Sequence, residues 1–420
     1  MVSTHDLRQE FARELEHWKA ASERLADLDA VASPQAWQAL EHYLGVALRQ
    51  SLATVAGRLR SVAQDFNAQL HAASADADVD QLQAQLVKLR QAYVRGETAV
   101  DFYADALATR SIARTAALLR ACDHIATRSM AEALTPMGRE VPAALTYIDK
   151  GLGASILRAG LRLWDGTAEN PVATIKVTRH NIIRPSSIIH EAGHQVSHML
   201  GWNAELSQAL SAATGSATLG TLWSGWSSEI AADAYAHVHT GYAASVALHD
   251  VLDGADEAVF QILPGDPHPT SYLRVLITVE MCRQTFGNGP WDRLAATWMA
   301  KHRLERSPSD IRPVLEESVA ALPRIVKLIL YAPYRAFGGR PLTKLINPER
   351  VSPAALAQLE RDAGQSAFTS PYWAWNEAIR LLALTGYQGG LGVRELREGT
   401  TQQEQWMLRL GSLASLAAVA

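Results

Sequence analysis

Cysteine is scarce in this chain, which has two thiols, Cys122 and Cys282, among its 420 residues. Two cysteines cannot form the disulfide framework that stabilises small secreted domains. They are also too far apart in the sequence to form a Cys-x-x-Cys zinc motif. We therefore expect both side chains to be buried thiols.

A strong charge imbalance is also missing. The formal net charge is −4 and the isoelectric point is near 6.4. Nucleic-acid-binding proteins usually carry a basic surface, and this composition provides none, so we expect no nucleic-acid partner. With 48% hydrophobic and 20% charged residues, the chain has the composition of a globular protein. Its length suffices for one large domain or two.

No apolar run approaches the roughly 20 residues that a membrane-spanning helix requires. Residues 406–420 are apolar, but the segment is short and Arg409 interrupts it. We predict a packing helix there, with membrane association or a docking tail as the alternatives. Residues 1–8 lack the apolar core of a signal peptide. A cytoplasmic location is the default expectation, although unconventional secretion would leave no such mark.

The first 130 residues have a strongly helical pattern. Ser33 is suited to cap a helix, and Pro34 fits its first turn. Apolar residues then recur at steps of 3 to 4 through residues 37–70, which predicts one long amphipathic helix. Residues 73–78 interrupt this pattern, and a further helix is predicted through residues 82–93. The expected result is a helical bundle, with a partner-binding coiled coil as the alternative.

The composition changes between residues 135 and 185, where proline, glycine and β-branched residues are frequent. Residues 171–178 alternate in polarity and predict a strand. Further on, residues 214–226 are rich in glycine, serine and threonine and include Trp223 and Trp226. We interpret this segment as a loop that either shapes a substrate pocket, as a lid would, or merely connects two elements.

Residues 190–194 read His-Glu-Ala-Gly-His within an apolar segment. On a helix, positions i and i+4 share a face, so both imidazoles can bind one ion while Glu191 reaches a water molecule on that ion. This spacing is typical of zinc hydrolases. Pro185 and Gly201 predict a helix of about fifteen residues around the motif. The alternative is an accidental pattern on a core helix, for which residue frequencies give about 0.03 matches per chain of this length.

A third ligand is needed, because catalytic zinc usually takes three side chains and leaves the fourth position to water. An alanine-rich helical segment downstream carries Glu229 and Asp233 four residues apart. Glu229 can complete the metal site, and Asp233 can accept a hydrogen bond from the non-metal nitrogen of a ligand histidine. Alternatively, Glu229 is a solvated residue favoured by a helix N-terminus, and Asp233 is a surface carboxylate.

These residues resemble the gluzincin metallopeptidases, in which His-Glu-x-x-His is followed by Glu-x-x-x-Asp. Residues 229–236 (Glu-Ile-Ala-Ala-Asp-Ala-Tyr-Ala) are similar to a segment of the CAAX prenyl endopeptidase and heat-shock membrane-protease branch. Residues 268–274 match the His-Pro-x-x-x-x-Arg pattern of that branch. The resemblance covers about residues 170–285. It implies a zincin-like domain in which residues 171–178 form a strand whose edge pairs with an extended substrate.

The metal-assisted mechanism gives each motif residue a role. His190, His194 and Glu229 would bind one zinc ion, Glu191 would act as general base, and Asp233 would orient a ligand histidine. A donor to the developing oxyanion is also required, and the candidates are His268, Arg274, Tyr235 and Tyr272, in that order. His268 and Arg274 have structural alternatives as a turn residue and a link between helices. We expect the nearby histidines His198, His237 and His239 to be satisfied polar residues.

Together these observations predict a mainly α fold with a small β-sheet. The expected organisation is a helical N-terminal region (1–130), a zincin-like catalytic core (131–300) and a helical C-terminal region that packs on the core (301–420). The expected function is that of a zinc metalloendopeptidase acting on a peptide or protein substrate. One alternative is a non-catalytic protein with a closed zinc site, for which His198 is the first ligand to examine, and with N-terminal helices that bind a partner. Another is a peptidase effector or toxin specific for one protein.

Overall fold

The fold is mainly helical with a small β-sheet, as the sequence predicts. The computed structural model describes residues 4–72, 78–151, 155–159, 162–163, 168–214 and 216–413. Helices, together with short 3-10 turns, account for 76% of the residues that the structure describes. In chain order they are α1 Thr4–Leu25, α2 Pro34–Leu44, α3 Leu48–Ala72, α4 Asp78–Thr109, α5 Ala113–Leu134, α6 Ser186–Leu200, α7 Trp202–Ala213, α8 Ala217–Gly225, α9 Ser227–Thr240, α10 Tyr242–Leu252, α11 Asp256–Val259, α12 Ser271–Phe286, α13 Pro290–Lys301, α14 Arg312–Tyr331, α15 Leu342–Leu345, α16 Pro353–Ala363, α17 Ser366–Thr369, α18 Pro371–Asn376, α19 Ala378–Gly389 and α20 Val393–Leu413.

The strands lie between α5 and α6. They are β1 Ala144–Ile148, β2 Ser155–Leu157, β3 Arg162–Leu163, β4 Ala168–Glu169 and β5 Ala173–Val177. β3 and β4 form an antiparallel pair, and the other strands form a sheet in the order β1-β5-β2. The predicted strand at residues 171–178 is therefore confirmed as β5. The prediction that its edge pairs with a substrate is wrong, because β5 already has a strand on each side.

The chain divides into two compact units, of which the first comprises residues 1–111 and 157–174. In this unit α1, α3 and α4 pack together around an apolar core. The helix predicted through residues 37–70 is in fact two helices. α2 ends at Gly45, whose φ of 67° is in the left-handed region, and α3 begins at Leu48. The break predicted at residues 73–78 lies largely outside the described residues.

The second unit comprises residues 112–156 and 175–420. In it α5 packs against β1, α6 and α20. The buried Asp123 carboxylate fixes β1 to α5 by accepting hydrogen bonds from the backbone N–H and hydroxyl of Thr146, at 2.6 and 2.8 Å. This scaffold places α6 beside α9. The predicted domain boundaries at residues 130 and 300 remain predictions.

The loop predicted at residues 214–226 is largely a helix, α8. Ser216 caps it, because its hydroxyl accepts a hydrogen bond from the Leu219 N–H at 3.2 Å. Trp223 is fully buried, and its indole N–H donates to the Ser318 hydroxyl at 3.3 Å. The prediction of a loop is therefore wrong, and a role of this segment in shaping a substrate pocket stays a prediction.

The last described helix, α20, packs as predicted. Trp406, Met407 and Leu410 are buried on its face toward α5 and α19. Residues 414–420, which the same prediction included, lie outside the described residues. Within the part of the chain that the structure describes, no helix has both the length and the apolar character needed to cross a membrane.

Candidate metal centre

The helix α6 presents His190 and His194 on one face. It runs from Ser186 to Leu200 and ends at Gly201, whose φ of 73° stops the helix. Both the start after Pro185 and the stop agree with the sequence prediction. The two imidazole rings lie edge to face with centroids 4.8 Å apart. The helical spacing therefore brings the two rings together at one place.

A glycine allows α9 to approach this face closely. A Cβ atom on Gly193 would lie 2.9 Å from the Tyr235 Cβ and 3.1 Å from the Ala232 Cα, which is closer than side chains tolerate. Gly193 and the alanines of α9 thus permit a close helix contact, and this contact places the Glu229 carboxylate next to the two histidines.

Glu229, in the first turn of α9, lies between the two histidines. Its Oε2 is 3.3 Å from the His190 Nε2, and its Oε1 is 3.1 Å from the His194 Nε2. Potential ligand atoms of these three residues all lie within 4.8 Å of one another. Glu229 is 6% exposed, which excludes the alternative of a solvated helix-start residue. The three predicted ligands are therefore brought together.

The second ring nitrogen of each histidine also faces a side chain of α9. The His190 Nδ1 lies 2.9 Å from the Asp233 Oδ1, and the His194 Nδ1 lies 3.3 Å from the Ser228 Oγ. Asp233 is 4% exposed, so it is not a surface carboxylate. Its contact is the one expected of a residue that orients a ligand histidine. The sequence gives no signal for Ser228, which belongs to no motif.

Arg274, four residues into α12, links the carboxylates. Its Nε donates to the Asp233 Oδ2 at 2.7 Å, and its Nη2 donates to the Asp233 Oδ1 at 2.9 Å and to the Glu229 Oε2 at 3.1 Å. The same Nη2 is 3.4 Å from the His190 Nε2. The guanidinium is nearly fully buried. These contacts favour a positioning role for Arg274 over the predicted role of oxyanion donor.

The charges at this centre stabilise one another. Burial opposes ionisation of Glu229, but hydrogen bonds with His190 and His194 and the Arg274 charge hold its pKa well below the usual range. Burial also disfavours a charged His190, but the hydrogen bond and charge of Asp233 outweigh it and raise the pKa of His190 to about 10. The centre thus holds an ionised Glu229 carboxylate.

Glu191 has a different electrostatic environment. It is 5% exposed, and burial is the largest cause that raises the pKa of its carboxyl, although the charges of His190 and His194 partly oppose this effect. A carboxylate with a raised pKa is a stronger base than an ordinary glutamate. The pKa of Glu191 is therefore raised while that of Glu229 is lowered, as expected for a general base and a metal ligand.

His268 lies at the rim of the centre. Its Nε2 is 3.5 Å from the Glu229 Oε2, and its Nδ1 is 2.6 Å from the Asp266 Oδ1, which also accepts the His268 backbone N–H at 3.0 Å. The His268 side chain is 53% exposed. The predicted proximity of His268 to the site agrees with these distances. Asp266 belongs to none of the predicted motifs, although an acidic residue two positions before the histidine is a usable signal in the sequence.

The other candidates have partners elsewhere. The Tyr235 hydroxyl donates to the Ser129 carbonyl of α5 at 2.5 Å, and the buried Tyr272 ring packs against Phe260. The His237 ring contacts the Thr285 hydroxyl at 2.9 Å, and burial lowers the pKa of His237 to about 3. Burial likewise lowers the pKa of His239 to about 4, and its buried Nε2 has no hydrogen-bond partner among the described residues, so the expectation of a satisfied residue is wrong for this ring. His198 is exposed, and both cysteines are buried thiols, as expected.

Comparisons of the chain with protein-family models, with curated proteins and with solved structures find no match. The geometry of this centre is therefore the basis for inferring function.

Proposed function

We propose that this protein is a zinc-dependent metalloendopeptidase. The observation that carries the proposal is the convergence of His190, His194 and Glu229, two nitrogen donors and one carboxylate from separate helices. This donor set is the one that catalytic zinc uses in several hydrolases. The gluzincin resemblance of the motifs is a second line of support.

The residues of the centre suit a single zinc ion. The Nε2 atoms of both histidines face the Glu229 carboxylate, while their Nδ1 atoms are hydrogen-bonded to side chains of α9. In a ligand histidine, one ring nitrogen binds the metal ion and the other is held by a hydrogen bond in this way. When bound, zinc supplies a Lewis acid that polarises a carbonyl and lowers the pKa of water toward neutrality. The low pKa of Glu229 keeps this carboxylate ionised for binding.

Glu191 is the general base and acid of the proposed mechanism. Its buried carboxylate takes a proton from the attacking water and later delivers it to the leaving amine. The raised pKa of Glu191 makes its carboxylate a stronger base than that of an exposed glutamate, which supports the removal of the proton from water. His268, partly exposed and oriented by Asp266, is the remaining candidate for donating a hydrogen bond to the developing oxyanion.

The closed-site alternative receives less support. Among the described residues, the metal-ligand group consists of His190, His194 and Glu229, and the exposed His198 is not part of it. Three protein ligands leave a position for water, which favours a catalytic centre. A peptidase effector specific for one protein uses the same chemistry and differs in substrate range.

The test combines metal analysis with cleavage of an unbiased peptide library. We expect the wild-type protein to bind one zinc ion and to cleave peptides, and Glu191→Gln to retain zinc but lose most activity. Because a contaminating protease would persist in both preparations, the variant also controls for contamination. A wild-type protein that binds no zinc would overturn the proposal. Zinc binding without cleavage of the library or of larger protein substrates would favour the non-catalytic alternative. Cleavage that is equal in Glu191→Gln but lost in His190→Ala would remove Glu191 from the role of general base.

A further inference from the structure

Ser228 faces the non-ligand nitrogen of His194. The Ser228 Oγ lies 3.3 Å from the His194 Nδ1, while the Nε2 of the same ring lies 3.1 Å from the Glu229 Oε1. Ser228 directly precedes Glu229 on α9. Consecutive residues of one helix therefore hold both nitrogens of this ring.

The two histidines are held by groups of different chemistry. The Asp233 carboxylate beside His190 only accepts hydrogen bonds, so it fixes a proton on the His190 Nδ1. A serine hydroxyl both donates and accepts. It can therefore bond to the His194 Nδ1 whether the ring proton is on Nδ1 or on the Nε2 that faces Glu229. The Ser228 hydroxyl can thus hydrogen-bond to His194 both when the Nε2 of this ring binds a metal ion and when it does not.

We propose that Ser228 is the positioning residue of His194 and accepts a hydrogen bond from its Nδ1–H when Nε2 binds the metal ion. This inference rests on the proposed metal site. Groups that hold a ligand histidine in this way typically change metal affinity by roughly ten- to a hundredfold. A neutral hydroxyl at 3.3 Å falls at the lower end of that range.

The test uses three variants of the full chain. Ser228→Ala removes the hydroxyl, Ser228→Thr retains it, and Ser227→Ala makes the same change one residue earlier on α9 as a control. Zinc affinity is measured by competition with a chromophoric chelator, and the geometry of the centre by the absorption spectrum of bound Co²⁺. We expect Ser228→Ala to bind zinc about tenfold more weakly, with an altered Co²⁺ spectrum. Ser228→Thr and Ser227→Ala should resemble the wild type.

A second measurement separates positioning from a general loss of structure. The ring ¹⁵N signals of His194 in the metal-free protein, assigned with a His194→Asn variant, should shift in Ser228→Ala but not in Ser227→Ala. The melting temperature of the metal-free protein should not change. Equal zinc affinity and unchanged ring signals in Ser228→Ala would overturn this inference alone. A wild-type protein that binds neither Zn²⁺ nor Co²⁺ would instead overturn the proposed function, and with it the metal-positioning role.

Discussion

At the scale of single residues, Arg274 controls the charge balance of the centre. Its guanidinium lies against the carboxylates of Asp233 and Glu229, away from bulk water. Removing one partner of a buried ion pair is costly, because it leaves an uncompensated charge in a poorly solvated place. A zinc ion at the proposed site would bring positive charge to the same Glu229 carboxylate. It would therefore compensate part of the charge imbalance that loss of the arginine leaves.

We expect Arg274→Leu to destabilise the metal-free protein by about 3–5 kcal/mol. Saturating zinc should recover part of this loss, since the ion compensates the charge of Glu229. The measurement is urea unfolding with and without zinc. The control is Arg283→Leu, which lies on α12 like Arg274 and forms a partly exposed pair with Asp292 of α13; it should cost less than about 1 kcal/mol. Equal losses of unfolding free energy in Arg274→Leu and Arg283→Leu would contradict the proposed importance of the buried Arg274 charge.

Asp233 provides a second prediction at this scale. Asp233→Asn keeps the size of the side chain but removes the charge that holds the His190 Nδ1 at 2.9 Å. We expect zinc affinity to fall roughly ten- to a hundredfold. Chelator competition measures this change, with Asp250→Asn, in a half-exposed pair with Arg184, as the control. Unchanged zinc affinity in Asp233→Asn would mean that Asp233 does not orient His190 for metal binding.

The sequence predicted the three residues that converge at the centre but not all of the side chains that contact them. His190 and His194 are linked by a fixed helical spacing, which is visible in any sequence. Glu229 and Asp233 were recognised through a second spacing of the same kind. Ser228 was missed because the contact of a single serine depends on how two helices pack, and no spacing within one helix encodes that.

At the scale of secondary-structure elements, the distance between α6 and α9 decides whether the centre can form. Gly193 lies where the helices touch, and a methyl group there would meet the Tyr235 and Ala232 atoms at about 3 Å. A side chain that does not fit must push the helices apart. Close packing of α6 on α9 therefore requires glycine at position 193, whether or not a metal ion binds.

Gly193→Ala should destabilise the protein by about 1–3 kcal/mol and weaken zinc binding, because Glu229 moves away from the histidines. Gly57→Ala is the matched control. Gly57 is also inside a helix, but a Cβ there meets no atom within 4 Å. That variant should be stabilised by up to about 1 kcal/mol through helix propensity. Thermal unfolding and zinc titration measure both effects. If the two variants changed stability and zinc affinity to the same extent, the contact between α6 and α9 would have space for a methyl group at residue 193.

The accuracy of the sequence predictions varied between elements for physical reasons. α6 was predicted with the correct bounds because Pro185 and Gly201 are local signals at its two ends. The break at Gly45 was missed because the apolar periodicity continues across two successive helices. α8 was predicted as a loop from its composition, whereas burial of Trp223 stabilises a helix there. The order of strands in the sheet has no local signal at all.

At the scale of the whole molecule, the fold buries several histidines in neutral form. Burial lowers the pKa of His124 and His239 to about 4 and that of His237 to about 3. The pKa of a histidine in the unfolded chain is about 6.5. Above this value neither state binds the proton, so the stability associated with these residues is fully present. As the pH falls below it, the unfolded chain binds protons that the folded protein excludes, and stability is lost until the folded pKa is reached.

The metal-free protein should therefore lose stability between pH 6.5 and about pH 4.5, a window in which most unfolded-state carboxylates have not yet been protonated. Each excluded proton contributes up to about 1.4 kcal/mol per pH unit. We expect His237→Gln to reduce the slope of unfolding free energy against pH by about this amount, because glutamine can still bond to the Thr285 hydroxyl but binds no proton. Urea unfolding at a series of pH values measures the slope. If His237→Gln retains the wild-type slope, the acid sensitivity arises from groups other than the buried His237.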